Sequence, residues 1–93
     1  MPLVSILQKQ AIYSGRVQGV GFRMTVERLA SGLRVAGDVR NLPTGQVELV
    51  IEGEPAAVDD LLARVANRMA RYIQNVEVTE RPPEGLSQFR VRY

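Results

Sequence analysis

The sequence predicts an α+β sandwich in which two helices cover one face of a mainly antiparallel sheet, with the element order βαββαβ and a short extra C-terminal strand. Three observations predict it. Five segments have the residue types or the period-two alternation of strands, and two others have apolar residues at helical spacing. Gly- and Pro-rich turns separate these segments. Their order is that of a split βαβ unit, so the arrangement is ferredoxin-like.

The first half of the chain has the pattern of a strand, a glycine loop, a helix and a hairpin. Residues 8–17 are rich in strand formers, and after the glycine loop apolar residues recur at helical spacing. Gly32 follows the last of them, where we expect a left-handed helix end. Two alternating segments, 35–41 and 46–52, flank a turn at 42–45 and predict a β-hairpin.

The second half has the pattern of a helix and two strands. Pro55 suits the first turn of a helix with an apolar stripe from Val58 to Met69. Residues 73–80 predict a fourth strand, and residues 89–93 a short fifth one. The residues expected in the buried core are Phe22, Leu29, Val47, Leu49, Leu61 and Val65.

This strand order has a geometric consequence. The first and second strands are parallel, because the third lies between them and runs antiparallel to both. The glycine loop after Val17 and the strand end at Asn41 therefore leave the sheet at the same edge. At about 4.8 Å per strand step they lie roughly 10 Å apart, which leaves room for a small group and a water.

Length and composition limit the possible functions. The 93 residues, 45% hydrophobic and 24% charged, predict one globular domain over residues 1–93, with residues 1–7 as a flexible N-terminal extension. The chain has no Cys and no His, which excludes disulfides, thiolate nucleophiles, the usual zinc ligand sets and histidine catalysis. We expect no cofactor and no metal.

Charge and targeting signals indicate neither a nucleic-acid nor a membrane partner. The 12 basic and 10 acidic side chains leave a formal charge of +2, which is too balanced to indicate nucleic-acid binding by itself. The first ten residues lack the features of a signal peptide, and no run approaches the roughly 18 apolar residues of a membrane span. A cytoplasmic location is the expectation.

The segment GRVQGVGFR at 15–23 is the first candidate functional site. Its glycines stand where a strand turns into a helix, so backbone N–H groups can converge on an anion, with the positive end of the helix dipole behind them. Arg23 falls in the first helical turn, where a cation is unfavourable unless an anion is bound. On spacing alone, a glycine turn with a solvent-facing arginine is the more common explanation.

Asn41 is the second candidate. An Asn at a strand end before a Leu-Pro turn commonly hydrogen-bonds the turn backbone, which is a purely structural role. Its predicted place at the same sheet edge as the glycine loop favours a role in the site instead.

Taken together, GRVQGVGFR at 15–23 and GDVRNLPTGQVELVIEG at 37–53 resemble the two signatures of the acylphosphatase family in order and spacing. The resemblance covers nearly the whole chain. It implies hydrolysis of acyl phosphates to a carboxylate and inorganic phosphate, without a metal or a covalent intermediate. The implied substrates are small acyl phosphates, such as acetyl phosphate or bisphosphoglycerate-type anhydrides. The implied state is a monomer.

The resemblance also assigns roles by position. Arg23 would hold the phosphate oxygens, and Asn41 would orient the attacking water. The loop would cradle the phosphate through backbone N–H groups, and the residues implied are Gln18, Gly19, Val20, Gly21 and Phe22. Phosphate would then inhibit competitively. These roles agree with the needs of phosphoryl transfer, which are mainly positioning and charge stabilisation.

One acidic residue stands close to this site. Asp38 occupies a position where, by the resemblance, many members carry an aromatic residue or a Thr. Its negative charge weakens phosphate binding unless it is paired. Pairing with Arg40, which lies on the same face of the predicted strand, would remove this effect.

Two other functions fit the same element order. A phosphate- or metabolite-binding domain without catalysis needs the same glycine loop. An RNA-recognition module also has the order βαββαβ, but it stacks bases on aromatic residues of its central strands. The predicted third strand, 46–52, has no aromatic residue and carries two Glu, which argues against RNA binding.

Overall fold

The structure, a computed structural model, describes residues 5–93, which form five strands and two helices. In chain order the elements are β1 (Leu7–Gly15), α1 (Phe22–Ala30), β2 (Val35–Asn41), β3 (Val47–Gly53), α2 (Pro55–Arg68), β4 (Ile73–Arg81) and β5 (Phe89–Arg92). The predicted order is confirmed. Of the extension predicted for residues 1–7, residues 1–4 lie outside the described residues, and Leu7 is the first residue of β1.

The strands form one sheet in the order β4-β1-β3-β2-β5. Strand β3 is antiparallel to both β1 and β2, so β1 and β2 are parallel, as predicted. At the edges, β4 pairs antiparallel with β1, and β5 pairs parallel with β2. The chain therefore leaves β1 and β2 at the same end of the sheet.

The core lies between the two helices and one face of the sheet. The predicted core residues are buried, except that Leu29 is only half-buried at the edge of α1. The rings of Tyr13 in β1 and Phe22 in α1 are tilted by 54° with their centroids 5.0 Å apart. Aromatic pairs favour such a tilted arrangement over a face-to-face stack. This contact anchors the start of α1 over the end of β1.

The end of α1 differs from the prediction. Helix α1 stops at Ala30, and Gly32 is not among the glycines with a positive φ. Backbone bonds from Gly32 N–H to Leu29 and from Leu33 N–H to Ala30 tighten the last turn instead. Such i→i+3 bonds need right-handed backbone angles, so the predicted left-handed end at Gly32 is wrong.

The face of the sheet opposite the helices is partly covered by the connector between β4 and β5. The Glu52 carboxylate of β3 accepts hydrogen bonds from the backbone N–H groups of Glu84 (2.6 Å) and Leu86 (2.7 Å). The side-chain amide of Gln8 donates a third, at 3.0 Å. All residues of β3 are consequently buried, although alternating apolar and charged residues are typical of a strand with one solvated face.

Candidate active site

The start of α1 leaves several backbone donors without a partner in the helix. Gly19 and Gly21 both have φ = 77°, in the left-handed region that favours glycine, and Gly21 caps the helix without a side chain. The first intrahelical bond runs from Thr25 N–H to the Gly21 carbonyl, at 3.0 Å. The N–H groups of the three preceding residues therefore have no acceptor one turn back. These orphan donors, together with the helix dipole, suit an anion.

A small cavity opens at this helix end. Its volume is about 100 Å³, and its lining residues are Val17, Gly19, Gly21, Phe22, Arg23, Met24 and Asn41. A Cβ added to Gly19 or Gly21 would meet no atom of the described residues within 4 Å, so the space in front of the loop is open. The end of β2 and the loop after β1 thus border the same cavity, as the strand order predicted.

The structure divides the residues predicted to bind phosphate into two groups. Gly19, Gly21, Phe22 and Arg23 line the cavity, whereas Gln18 and Val20 do not. Val20 packs against the hydrophobic core.

The side chain of Gln18 has a partner that the sequence did not indicate. Its amide nitrogen donates to the backbone carbonyls of Leu42 (2.8 Å) and Gln46 (2.9 Å), at the turn between β2 and β3. The family resemblance indicated a role only for its backbone N–H group. The available signal was a long amide side chain at a position where residues 17–21 are otherwise Gly and Val.

Asn41 ends β2, and the turn after it is closed without its side chain. The Leu42 N–H donates to the Gln46 carbonyl at 2.8 Å, and the Gly45 N–H donates to the Leu42 carbonyl at 3.1 Å. The Thr44 hydroxyl accepts a hydrogen bond from the Gln46 N–H at 3.3 Å, and Gln18 adds a side-chain contact from the glycine loop. The hydrogen bonds found within residues 5–93 do not include the Asn41 side chain, which lies at the cavity.

Arg23 is held in place by the end of β5. Its Nη1 donates to the Arg92 carbonyl at 3.1 Å, and its Cζ lies 4.7 Å from the centroid of the Tyr93 ring. A guanidinium has five N–H donors, so this contact leaves donors for a ligand in the cavity. No sequence pattern indicates that the last strand supports Arg23, because the contact joins residues 69 positions apart.

Asp38 is not paired with Arg40. Arg40 Nε pairs with Glu48 at 2.8 Å, because the β2–β3 register places these residues directly opposite each other. Asp38 lies 3.8 Å from Arg92 instead. Burial raises the pKa of Asp38, and the Arg92 guanidinium only partly offsets this effect. Since Asp38 and Asn41 are three residues apart in a strand, they point to opposite faces, and the carboxylate faces away from the cavity.

The family of the chain follows from comparison with known proteins. The model of the acylphosphatase family matches residues 9–91. The chain belongs to the acylphosphatase family. An acylphosphatase of Thermococcus kodakarensis is 52% identical over 79 residues, which cover 83% of this chain and 86% of that protein. An acylphosphatase of a Nostoc species is 41% identical over 92 residues, which cover 98% and 91% of the two chains.

A solved structure agrees with this membership. The crystal structure of an acylphosphatase from Bacillus subtilis superimposes with a TM-score of 0.85 at 36% identity, and the match covers 94% of this chain and 99% of that chain. The predicted family and ferredoxin-like fold are confirmed. The chain is thus a hydrolase of acyl phosphates.

Two properties of residues 5–93 complete the description of this acylphosphatase. They contain no group of three or more His, Cys, Asp or Glu side chains placed to hold a metal ion. Neither of their helices is long and apolar enough to cross a membrane.

Proposed function

We propose that Arg23 and the N–H groups at the start of α1 hold the phosphoryl group of an acyl phosphate, while Asn41 orients the attacking water. The observation that carries this assignment is the shared cavity. Its lining includes the loop glycines, Arg23 and Asn41, although they come from separate elements.

The chemistry follows from these groups. The phosphoryl oxygens accept hydrogen bonds from the orphan N–H groups and from Arg23, which stabilise the charge that spreads over them in the transition state. The Asn41 amide holds a water in line with the phosphorus atom. The bond from water oxygen to phosphorus forms, the bond from phosphorus to the acyl oxygen breaks, and the carboxylate leaves. The substrate's own phosphate takes the proton of the water, so no protein base is needed.

Two contacts support this division of roles. The turn after Asn41 is closed by backbone bonds and by Gln18, so Asn41 is not needed to close it. Arg23 is fixed by the Arg92 carbonyl and the Tyr93 ring, so its planar fork is oriented before a substrate binds. A preorganised guanidinium binds two phosphate oxygens better than an ammonium does.

Substitution of the two residues separates their roles. Arg23→Ala is expected to weaken phosphate inhibition and to lower kcat/KM about 10³-fold, and Arg23→Lys to restore little, because the bidentate fork is lost. Asn41→Ala is expected to lower kcat while the inhibition constant of phosphate stays within about threefold of wild type, since anion binding survives when the water is lost. Arg68→Ala, on the exposed part of α2, is the control.

Two results would contradict the assignment. A folded Asn41→Ala enzyme with normal kcat on benzoyl phosphate would remove its role with the water. A phosphate titration that shifts amides around residues 64–71 but not those of the glycine loop would place the anion elsewhere.

We also infer that the enzyme acts as a cytoplasmic monomer and that inorganic phosphate, the product, inhibits it competitively. The orphan N–H groups at the start of α1 support the inhibition by phosphate, and the location and the monomer are carried over from the family. Sedimentation velocity tests whether the enzyme is a monomer, and inhibition kinetics test whether phosphate competes with the substrate.

A further inference from the structure

The phosphate cavity is too small to hold a whole acyl phosphate. Its volume of about 100 Å³ is well below the roughly 300–1,000 Å³ of pockets that bury a whole small-molecule ligand. A phosphoryl group and the attacking water fill it. The acyl group of the substrate therefore lies outside this cavity.

A second cavity shares the lining residue Met24 with the first one. Its volume is about 410 Å³, and its lining residues are Met24, Glu27, Arg28, Ser31 and Phe89. Met24, Glu27 and Arg28 lie on α1 at spacings of three and four, so they share one face of the helix. Ser31 directly follows the helix, and Phe89 lines the cavity from β5. Met24 lines both cavities and is the wall between them.

The protein surface beside the phosphate cavity is apolar. Met24 is 51% exposed, and Tyr93, whose ring lies against the Arg23 guanidinium, is 94% exposed. The Tyr93 hydroxyl lies 4.0 Å from the Met24 sulfur, so the two side chains are neighbours. Exposed apolar side chains grouped beside a site mark ligand contacts, and Met adapts its shape to different ligands.

The charges at this second cavity cancel. Glu27 and Arg28 are adjacent in the chain and both line it. A carboxylate or phosphate on the acyl group would gain attraction from Arg28 but meet repulsion from Glu27. The lining thus favours an uncharged acyl group over an anionic one.

We propose that Met24 and Phe89 form the acyl-group subsite of this enzyme and that it takes an uncharged, apolar acyl group, aromatic in particular. The proposal rests on the proposed function, because it requires the phosphoryl group to lie in the neighbouring cavity. It excludes bisphosphoglycerate-type substrates as the preferred class.

Substrate preference is the first test. The ratio of kcat/KM for benzoyl phosphate to that for acetyl phosphate is expected to fall about tenfold in Met24→Gln, because the benzoyl ring of the substrate loses its apolar contact with Met24. Met24→Leu is expected to stay within about twofold of wild type, since Leu and Met exchange readily. Gln has nearly the same length and helix propensity as Met, so the variant is expected to fold. Val78→Thr, at a residue 46% exposed on β4, is the matched control and is expected to leave the ratio unchanged.

Two results would overturn the proposed acyl-group subsite. A ratio that Met24→Gln leaves unchanged overturns the subsite. So does a wild-type preference for succinyl phosphate over acetyl phosphate that is lost in Arg28→Ala, because that enzyme would favour an anionic acyl group.

Unreactive ligands separate this inference from the phosphate site itself. Methylphosphonate and phenylphosphonate are both expected to shift the loop amides, but only phenylphosphonate is expected to shift the ¹³C-methyl resonance of Met24 through its ring. The buried Met69 methyl is the internal reference. If neither ligand shifts the loop amides, the proposed function fails. If both do, and phenylphosphonate leaves the Met24 methyl where it is, only the acyl subsite fails.

Discussion

The side-chain amide of Gln18 donates a hydrogen bond to the backbone carbonyl of Leu42 across 2.8 Å. Gln18 belongs to the loop that lines the cavity proposed to bind phosphate, and Leu42 directly follows Asn41. The same nitrogen also reaches the Gln46 carbonyl on the far side of the turn. One side chain thus joins the glycine loop to the strand end that carries the proposed water-orienting residue.

Loss of this link is expected to lower turnover more than phosphate affinity. Gln18→Glu keeps the shape of the side chain but removes the donor, so the variant is expected to lose about 10- to 100-fold in kcat, because small misplacements of reacting groups are costly. Its inhibition constant for phosphate is expected to change less, since the loop N–H groups and Arg23 remain. Steady-state kinetics with phosphate inhibition measure both.

A purely structural role for Gln18 predicts a different result. Loss of the two hydrogen bonds is expected to cost about 1–3 kcal/mol of unfolding free energy in either case. If folded Gln18→Glu retains wild-type kcat, the side chain only stabilises the loop. Gln74→Glu, at an exposed residue of β4, controls for the added charge.

The Tyr93 ring is expected to support Arg23 through its face and not through its hydroxyl. A cation–π contact at an exposed position contributes about 0.5–1 kcal/mol, which corresponds to roughly two- to fivefold in affinity. Tyr93→Ala is therefore expected to weaken phosphate inhibition by about that factor, whereas Tyr93→Phe is expected to match wild type. Equal losses in the two variants would show that the ring face is not the important group.

Glu52 is expected to stabilise the fold at neutral pH and to lose this effect in acid. Burial alone would raise the pKa of Glu52, but the N–H groups of Glu84 and Leu86 and the Gln8 amide outweigh it and lower the pKa from its ordinary value of 4.5. The stabilisation is therefore full above about pH 4.5 and is lost as the pH falls through the lower pKa of the folded state.

Substitution of Glu52 tests this expectation. Glu52→Gln puts an amide donor where N–H groups need an acceptor, so it is expected to cost about 1–3 kcal/mol at pH 7 and less as the pH falls. Urea unfolding at pH 7, 5 and 3 measures the difference, with the exposed Glu77→Gln as control. A cost that does not change with pH would mean that the charge of Glu52 is unimportant.

The effect of Asp38 on stability is expected to depend on pH in the opposite direction to that of Glu52. Burial raises its pKa from the ordinary 3.8, and Arg92 lowers it only in part, so the folded state binds a proton at Asp38 more readily than the unfolded chain does. The group contributes stability below about pH 3.8, and that contribution is lost as the pH rises through the higher pKa of the folded state.

A neutral side chain at position 38 is expected to remove the free-energy cost of burying the Asp38 carboxylate. Asp38 Oδ1 is buried and has no hydrogen-bond partner among the described residues. Asp38→Asn is therefore expected to raise the unfolding free energy by about 1 kcal/mol at pH 7, and the gain is expected to vanish at pH 3. Urea unfolding at the two pH values is the measurement. A destabilised variant at pH 7 would show that the contact with Arg92 outweighs burial.

The sequence by itself determined the elements and the place of the site. Period-two and helical patterns fixed the hairpin and the stripe of α2, because these patterns reflect which face of an element is buried. The strand order then placed the glycine loop and Asn41 at one end of the sheet, and the shared cavity agrees with this. These features depend on local periodicity and connectivity, which the residue order contains.

Only the tertiary structure decided the partners of the individual side chains. Gln18 reaches a turn 24 residues away, Arg23 is supported by Arg92 at a distance of 69 positions, and Gln8 meets Glu84 at 76. The register of β2 and β3 places Arg40 opposite Glu48, so the two form an ion pair. The connector between β4 and β5 covers Glu52 and buries it. No periodicity encodes such contacts, because they depend on how strand register and loop paths settle when the whole chain packs together.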